Sequence, residues 1–341
     1  MKTVFVFGGS GFIGTNLINS LLKKNINVIN IDKLSYASVP EKFKAYASNK
    51  NYLFLKIDLL DKRLVEKILT RYKPSYIYNL AAMSHVDRSI DKPVNTVENN
   101  ILSTLVLADC LRIHIKKYKQ FKKLIHISTD EVYGDVNKKT KETEKLSPSS
   151  PYSSSKSSCD LILKSYFKTY KLPIIILRPC NNYGPFQFPE KFIPTIILNI
   201  LSRKKIPIYG NGLQTREWIF VKDLARLMIK FMKVGKIGNI YNLGSGHRVT
   251  NKDLVLKIFN ILKDVYSLPE FKKIIKEVKD RPGHDKSYSL NYDKARKIVK
   301  DYKIGNFNKN IKETIFWYIK NSSWIKHTSK KYKGERLGLK K

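Results

Sequence analysis

Short apolar runs alternate with amphipathic stretches through the first half of the chain. Val4–Phe7, Val28–Ile31, Leu53–Ile57, Tyr76–Leu80, Leu124–Ile127 and Ile174–Leu177 are rich in Val, Ile, Leu and Phe and mostly lack a polar face. Runs of this kind predict parallel strands buried on both sides. Between them, Gly14–Lys24, Arg63–Tyr72, Val94–Leu111 and Tyr152–Tyr170 carry apolar residues at helical spacing. Strand and helix in alternation predict an α/β fold with a doubly wound parallel sheet. Ile240–Leu243, followed by Gly244-Ser245-Gly246, reads as a seventh strand returning late to that sheet.

The second half changes character. Proline and glycine break up residues 181–212, and helical spacing returns at Leu224–Met232, Asn251–Leu262 and Lys312–Ile319, with Asp223 as an expected N-cap. The expected division is a dinucleotide-binding domain over 1–185, with 218–246 returning to it. A smaller C-terminal α/β substrate domain is expected from 186–217 and 247–325, and a mobile basic tail from 326–341. No internal repeat is visible.

Composition narrows the classes. Hydrophobic residues make up 42% of the 341, which is ordinary for a packed core. No apolar run spans a bilayer. The run after Met1-Lys2 enters a glycine loop without a cleavage-like site, so it reads as a strand, and a cytoplasmic protein is expected. Cys110, Cys159 and Cys180 are few and far apart, as in a reducing compartment, and none stands at a zinc-ligand spacing to histidine, so no metal is expected. The net charge is +37. A nucleic-acid-binding protein built on a dehydrogenase fold is one reading of that charge. The other is a lysine-rich surface favouring anionic ligands, and it fits better: the lysines are spread out and no nucleic-acid motif accompanies them. The runs Lys116–Lys123 and Lys138–Lys145 fall where loops or exposed helix ends are expected.

Gly8-x-x-Gly11-x-x-Gly14 follows the first strand and opens a helix, with Phe12 and Ile13 inside it. Such glycines let the backbone approach a pyrophosphate, and the helix N-terminus offers free N–H groups and partial positive charge. This is a Rossmann-type arrangement, although not the most familiar glycine spacing. Asp32 ends the second strand, where a carboxylate would accept from ribose hydroxyls and repel a 2′-phosphate, so NAD is favoured over NADP. A turn aspartate would read the same way, and Lys33 beside it weakens the selectivity argument. Asp58 ends the third strand and Leu80-Ala81-Ala82 the fourth. Ligands of such sheets bind at these strand ends.

Ser128-Thr129-Asp130-Glu131-Val132-Tyr133-Gly134 follows the fifth strand, and Tyr152-x-x-x-Lys156 follows that. Tyr152 and Lys156 are one helical turn apart and share a face. An ammonium beside the tyrosine, together with a positively charged nicotinamide ring, would favour tyrosinate. A packing tyrosine beside a surface lysine has the same spacing.

Taken together, these strings resemble the extended short-chain dehydrogenase/reductase superfamily. Within it they are similar to nucleoside-diphosphate-glucose 4,6-dehydratases, above all those acting on dTDP-glucose. The resemblance rests on Ser128–Gly134 and on four further strings: Ser84–Ser89, Asn181–Lys191, Gly246–Asn251 and Asp280–Asp285. It implies an NAD-dependent hydro-lyase that turns dTDP-glucose or UDP-glucose into the 4-keto-6-deoxy sugar, a step toward rhamnose or other deoxysugars. Tyr152 would take the C4 hydroxyl proton as hydride leaves for NAD, with Lys156 supporting it. Glu131 would remove the C5 proton, and Asp130 would protonate the departing C6 hydroxyl. Thr129 would bind the C4 oxygen.

Further positions come from the same resemblance. Lys33, Leu34, Ser35, Asp58, Leu59, Ser84, Asn99 and Asn182 would join the glycine loop and the strand ends around NAD. Ser84, Asn181, Glu190, Lys191 and Phe192 would surround the sugar and diphosphate. Arg216, Asn251, Arg281 and His284 would serve the diphosphate or nucleoside, and Pro207 and Tyr209 the base. A C4-epimerase of the same superfamily is the alternative, since it needs the tyrosine but neither acid. Met83 departs from the usual polar residue before Ser84, and Ser154, Ser155 and Ser157 stand where small apolar residues are usual. The helices Val94–Leu111 and Tyr152–Tyr170 carry extra apolar positions, from which a homodimer through a four-helix interface is expected, with no specific nucleic-acid partner and no membrane.

Overall fold

A computed structural model describes residues 3–39, 46, 48–329 and 337–338. The apolar runs become the strands β1 Thr3–Phe7, β2 Asn27–Asp32, β3 Tyr52–Lys56, β4 Tyr76–Asn79, β5 Lys123–Ile127 and β6 Ile174–Pro179. The shorter strands β7 Asn181–Tyr183, β8 Ile206–Tyr209, β9 Thr215–Phe220, β10 Ile240–Leu243, β11 Arg248–Thr250 and β12 Ile275–Val278 follow. The helices are α1 Phe12–Leu22, α2 Lys62–Tyr72, α3 Val86–Asp91, α4 Pro93–Lys117, α5 Pro151–Tyr170 and α6 Phe192–Leu201. Then come α7 Val221–Val234, α8 Asn251–Lys263, α9 Phe271–Ile274, α10 Asp293–Ile298, α11 Phe307–Lys320 and α12 Ser322–Ser329.

The main sheet has seven parallel strands in the order β10-β6-β5-β4-β1-β2-β3. Its order reverses between β1 and β4, which opens the crevice where ligands of such sheets sit. The late strand β10 joins the edge beside β6, as its sequence predicts. Separate apolar clusters form around Val4, Leu17 and Met228 and around Phe5, Leu107 and Leu163, each drawing residues from the sheet and from helices packed on it. A further core gathers Ile193, Trp218, Leu254, Phe259, Ile315 and Trp324 around the β11-β9-β7 sheet.

Local chemistry explains where the helices begin. Ser150 caps α5 through a reciprocal box with Ser153, and Pro151 occupies the first turn. That fixes the phase on which Tyr152 and Lys156 face inward. The serines in place of small apolar residues are satisfied locally: Ser155 Oγ donates to Tyr152 O at 2.7 Å and accepts from Asn100 Nδ2 at 2.9 Å. Such short hydroxyls can be buried in a helix because a backbone carbonyl lies within reach.

Some expectations change. Asp223 is not an N-cap: α7 begins at Val221 with Phe220 at the cap, and Asp223 in the first turn accepts from Gly305 N at 2.9 Å. Lys123, in a run expected to be exposed, starts β5 and is buried; its Nζ donates to Met232 O at 3.2 Å and Gly235 O at 2.5 Å, satisfying carbonyls at the end of α7. Nor is the basic tail free along its described length. Residues Lys326–Ser329 complete α12, whose Trp324 joins the core beside Trp317, and Gly338 N donates to Asp91 Oδ2 at 2.9 Å. The remainder of 326–341 lies outside the described residues. Among the described residues, no helix is long and apolar enough to cross a membrane.

Candidate active site

The C-terminal ends of β1, β2, β4, β5 and β6 open into one cavity of about 1070 Å³, closed on the far side by α6, β8 and β9. That is the upper end of the usual ligand-pocket range, large enough for more than one small molecule. Every site residue singled out from the sequence lines it except Leu34. Leu34 has φ +62, and its N–H is taken by Asp32 Oδ1 at 2.8 Å, so it shapes the turn instead.

At one end lies the glycine loop. Gly8 has φ +73, and a Cβ there would stand 2.6 Å from Ala81 N; at Gly14 it would stand 2.5 Å from Gly8 O. Only glycine allows these approaches. The α1 N-terminus at Gly11 has no side-chain cap, so its first-turn N–H groups remain for an anion. Asp32 accepts from Ser10 N at 3.0 Å, which pins the loop to the end of β2. Burial raises its carboxyl above the ordinary range, and the Leu34 and Ser10 hydrogen bonds oppose that rise. Lys33 is taken up by Asn99 Oδ1 at 2.7 Å and Asp58 Oδ2 at 3.2 Å, so the cation that weakened the NAD argument has partners of its own. Glycine cradle, bare helix end and acid at the β2 terminus together fit an NAD molecule.

The acid pair sits in a 3₁₀ turn, Asp130–Tyr133, directly after β5. A buried network clamps this turn. Arg178 Nη1 donates to Tyr133 Oη at 2.7 Å and Nε to Asp160 Oδ2 at 2.8 Å, and Tyr133 donates to Asn242 Oδ1 at 2.8 Å. Thr129 Oγ1 donates to Asp130 Oδ1 at 3.2 Å and accepts from Glu131 N at 3.3 Å. Asp130 Oδ2 is buried without a partner.

The two acids differ electrostatically. Burial, then Glu131 and Glu217, drive the Asp130 carboxyl well above the ordinary range, which favours its protonated form, and Arg216 opposes the rise. Burial also raises Glu131, but Arg281, Arg216 and Lys191 pull it back. Their environments push the neighbours apart, as an acid and a base require. Tyr152 hydrogen-bonds Thr129 and is pushed upward by burial and by both carboxylates. Lys156 Nζ points to Ile127 O at 2.7 Å and His126 Nε2 at 3.2 Å.

On the opposite wall, Arg281 Nη1 pairs with Asp87 Oδ1 at 2.8 Å while its buried Nε lacks a partner. Arg216 Nη2 donates to Asp285 O at 2.7 Å, and the guanidinium lies 4.3 Å from the Tyr288 ring. Lys191 Nζ donates to Ser84 O at 2.6 Å. The Glu190 carboxylate is already engaged, by Arg88 Nε at 2.7 Å and Tyr36 Oη at 2.6 Å, so it joins the β2 loop to the sugar wall. Tyr209 Oη donates to Asp87 Oδ2 at 3.1 Å. His284 accompanies Asp280 at 2.6 Å, and burial lowers its pKa to about 4, so it is a neutral scaffold group.

Ser128 Oγ, Asp130 Oδ2, Asn181 Oδ1, Asn182 Oδ1, Gln187 Oε1 and Trp218 Nε1 also line the cavity, buried and unpartnered. Buried polar atoms are normally paired. This concentration of idle donors and acceptors suits a polyhydroxylated ligand. Trp218 and Tyr36 were missed in the sequence. The signal for Trp218 was its i+2 position from Arg216 on β9, which puts both on one sheet face.

A family model described as GDP-mannose 4,6 dehydratase matches residues 5–314. The chain is 38% identical over 344 residues to a probable dTDP-glucose 4,6-dehydratase of Sinorhizobium fredii, covering 98% of each. The crystal structure of a Streptomyces venezuelae dTDP-glucose 4,6-dehydratase with NAD and TYD bound aligns at a TM-score of 0.88 and 33% identity, covering 94% of this chain and 98% of that one. A Thermotoga maritima UDP-glucose 4-epimerase aligns at 0.83 and 28% identity, covering 94% and 99%. The backbone is thus similar to dehydratase and epimerase alike.

Proposed function

Because this chain belongs to the nucleotide-sugar dehydratase/epimerase family of extended short-chain dehydrogenases/reductases, we propose that it is a hydro-lyase converting dTDP-glucose to dTDP-4-keto-6-deoxyglucose. The observation that carries this reading is the buried pair Asp130 and Glu131, held beside Tyr152: burial raises both carboxyls, Asp130 the more strongly, and three cations oppose the rise at Glu131. An epimerase has no water to eliminate and no use for such a pair.

NAD, held by the glycine loop and Asp32, supplies a transient oxidation, accepting hydride from C4 and returning it to C6. Tyr152 takes the C4 hydroxyl proton while Thr129 orients that oxygen. The resulting C4 ketone acidifies the C5 proton, which Glu131 removes. Asp130 donates its proton to the C6 hydroxyl and water leaves; as hydride reaches C6, C5 is reprotonated by the proton that Glu131 took from it. Arg216 and Arg281 neutralise the diphosphate, for which guanidinium donors are suited. Asn181, Gln187 and Trp218 offer their unpaired atoms to the sugar and phosphates. UDP-glucose is the second substrate to consider, since thymine and uracil differ by one methyl, worth about 1–3 kcal/mol in a pocket.

The test is incubation of the protein and NAD with dTDP-glucose, UDP-glucose or neither. A 4-keto-6-deoxy product with the larger kcat/KM for dTDP-glucose is expected. Formation of a C4 epimer with no water loss would overturn the reading in favour of the epimerase.

The chain would act as a dimer. Val94, Leu102, Leu161 and Tyr170 on α4 and α5 leave 45–62% of their surface exposed, and α4 packs along α5. A second copy of this helix pair would cover them. Sedimentation at micromolar concentration should give twice the 39.6 kDa chain mass; a monomer alone would refute the assembly. The buried cysteines, all free thiols, suit a reducing cytoplasm.

A further inference from the structure

Arg178 is a long charged side chain with almost no access to water: 1% of its surface is exposed. It stands on β6 directly opposite Asn242 of the edge strand β10, so both side chains share one sheet face. Its guanidinium takes partners from two elements of the site. Nε donates to Asp160 Oδ2 at 2.8 Å. Asp160 lies on α5, one helical turn past Lys156 and two past Tyr152. Nη1 donates to Tyr133 Oη at 2.7 Å, in the 3₁₀ turn two residues past Glu131.

The far side of the Tyr133 hydroxyl is fixed as well. Oη donates to Asn242 Oδ1 at 2.8 Å, and Asn242 Nδ2 donates to Thr140 O at 2.9 Å and Asn291 O at 3.1 Å. Asn242 N donates to Glu142 Oε1 at 2.9 Å. None of Arg178, Tyr133 and Asp160 lines the cavity, so this tie acts from behind the site.

Stability alone is a poor reason for the arrangement. Taking an ion pair out of water costs about as much as the attraction returns, and well-packed apolar residues often do as well. Asp160 Oδ1, moreover, is buried with no partner. What the guanidinium contributes is direction, because its planar fork fixes the angle between two bonds. Here the fork runs between the turn carrying the acid pair and the helix carrying Tyr152.

In the dehydratase reading, Tyr152 acts at C4 while Glu131 and Asp130 act at C5 and C6 of the same sugar. The two elements therefore need a fixed separation. We propose that Arg178 is a positioning residue that sets the acid turn against the catalytic helix, with the Tyr133 hydroxyl as the point where the tie enters the turn. The inference rests on that reading of Asp130 and Glu131. Protonation suits the tie. Burial opposes the Arg178 charge, and Asp160 and Tyr133 outweigh it. Burial pushes Tyr133 up to about 12 against the pull of Arg178, so it stays a phenol that accepts from Arg178 and donates to Asn242.

Tyr133→Phe removes the hydroxyl and should leave both the Asp160 pair and the ring, 4.9 Å from the guanidinium, in place. Elimination should slow about tenfold, within the roughly 100-fold that a misplacement of about 1 Å can cost. Oxidation at C4 should not change. KM is then held, kcat falls, and a larger share of the nicotinamide stands reduced during turnover of dTDP-glucose. Wild-type kcat, or an equal slowing of nicotinamide reduction and product formation, overturns the proposal. Arg178→Lys keeps a charge beside Asp160 but cannot fork to Tyr133. It should show the same split and serves if Tyr133→Phe does not fold. Hydrogen exchange on the full chain is the second readout. Amides of residues 131–134 should exchange about tenfold faster in Tyr133→Phe, with those of α5 unmoved. Unchanged exchange in the turn overturns the tie. If the wild-type chain fails to dehydrate dTDP-glucose, the functional reading falls, while the exchange measurement still judges Arg178 and Tyr133.

Discussion

Glu131→Gln is expected to lower turnover of dTDP-glucose by about 10²–10⁴-fold, the usual contribution of a positioned general base. The bound nicotinamide should meanwhile accumulate in its reduced form, visible as near-ultraviolet absorbance. The amide keeps the shape of the side chain and leaves the Glu131 backbone N–H to Thr129 Oγ1 intact. What it loses is the capacity to take the C5 proton. The C4 step depends on Tyr152, so the reaction should stop after oxidation and before water loss. Full turnover in this variant would remove Glu131 as the C5 base.

Tyr152→Phe should halt the reaction one step earlier. The ring sits in a buried place at the start of α5, whose cap is built by Ser150, Ser153 and the Tyr152 backbone N–H on Ser89 Oγ at 3.1 Å. Removing one hydroxyl leaves that framework in place. The C4 hydroxyl proton then has no acceptor and Thr129 loses its hydrogen bond to Tyr152. A fall of about 10²–10⁴-fold is expected, with no reduced nicotinamide on substrate addition and a KM near that of the wild type. Rapid-mixing absorbance on both variants separates the roles. If Tyr152→Phe also accumulates reduced nicotinamide, the first proton goes elsewhere.

The contrast between these variants shows how far the chain can be read without its fold. Strand positions were legible because parallel strands buried on both faces must be apolar throughout, and β1, β2, β4, β5 and β6 all lie where the runs fall. Glycines at 8 and 14 were legible because a Cβ would strike the Ala81 backbone at the first and the glycine loop itself at the second. Helix starts were less so. Asp223 has the side chain of an N-cap, yet β9 leads directly into α7 and Asp223 serves Gly305 instead. Lys123 shows the same limit: the sequence places it in a basic run at a loop or helix end, and only the packing of α7 against β5 reveals buried carbonyls needing it.

By itself, the sequence determined the α/β fold, the nucleotide cradle and the identity of the groups able to move protons, because each depends on residue type and local spacing. Tertiary structure alone decided the electrostatic environment of those groups. Asp130 and Glu131 are adjacent and chemically alike in sequence. They diverge because Glu217 adds to the rise at Asp130, while Arg281 and Lys191, brought from distant segments, oppose it at Glu131; Arg216 acts on both. Tyr152 and Lys156 share a helical turn, yet the lysine answers to His126 and Ile127 across the sheet face. Charge and burial act through space, and only the closed fold sets which groups are neighbours.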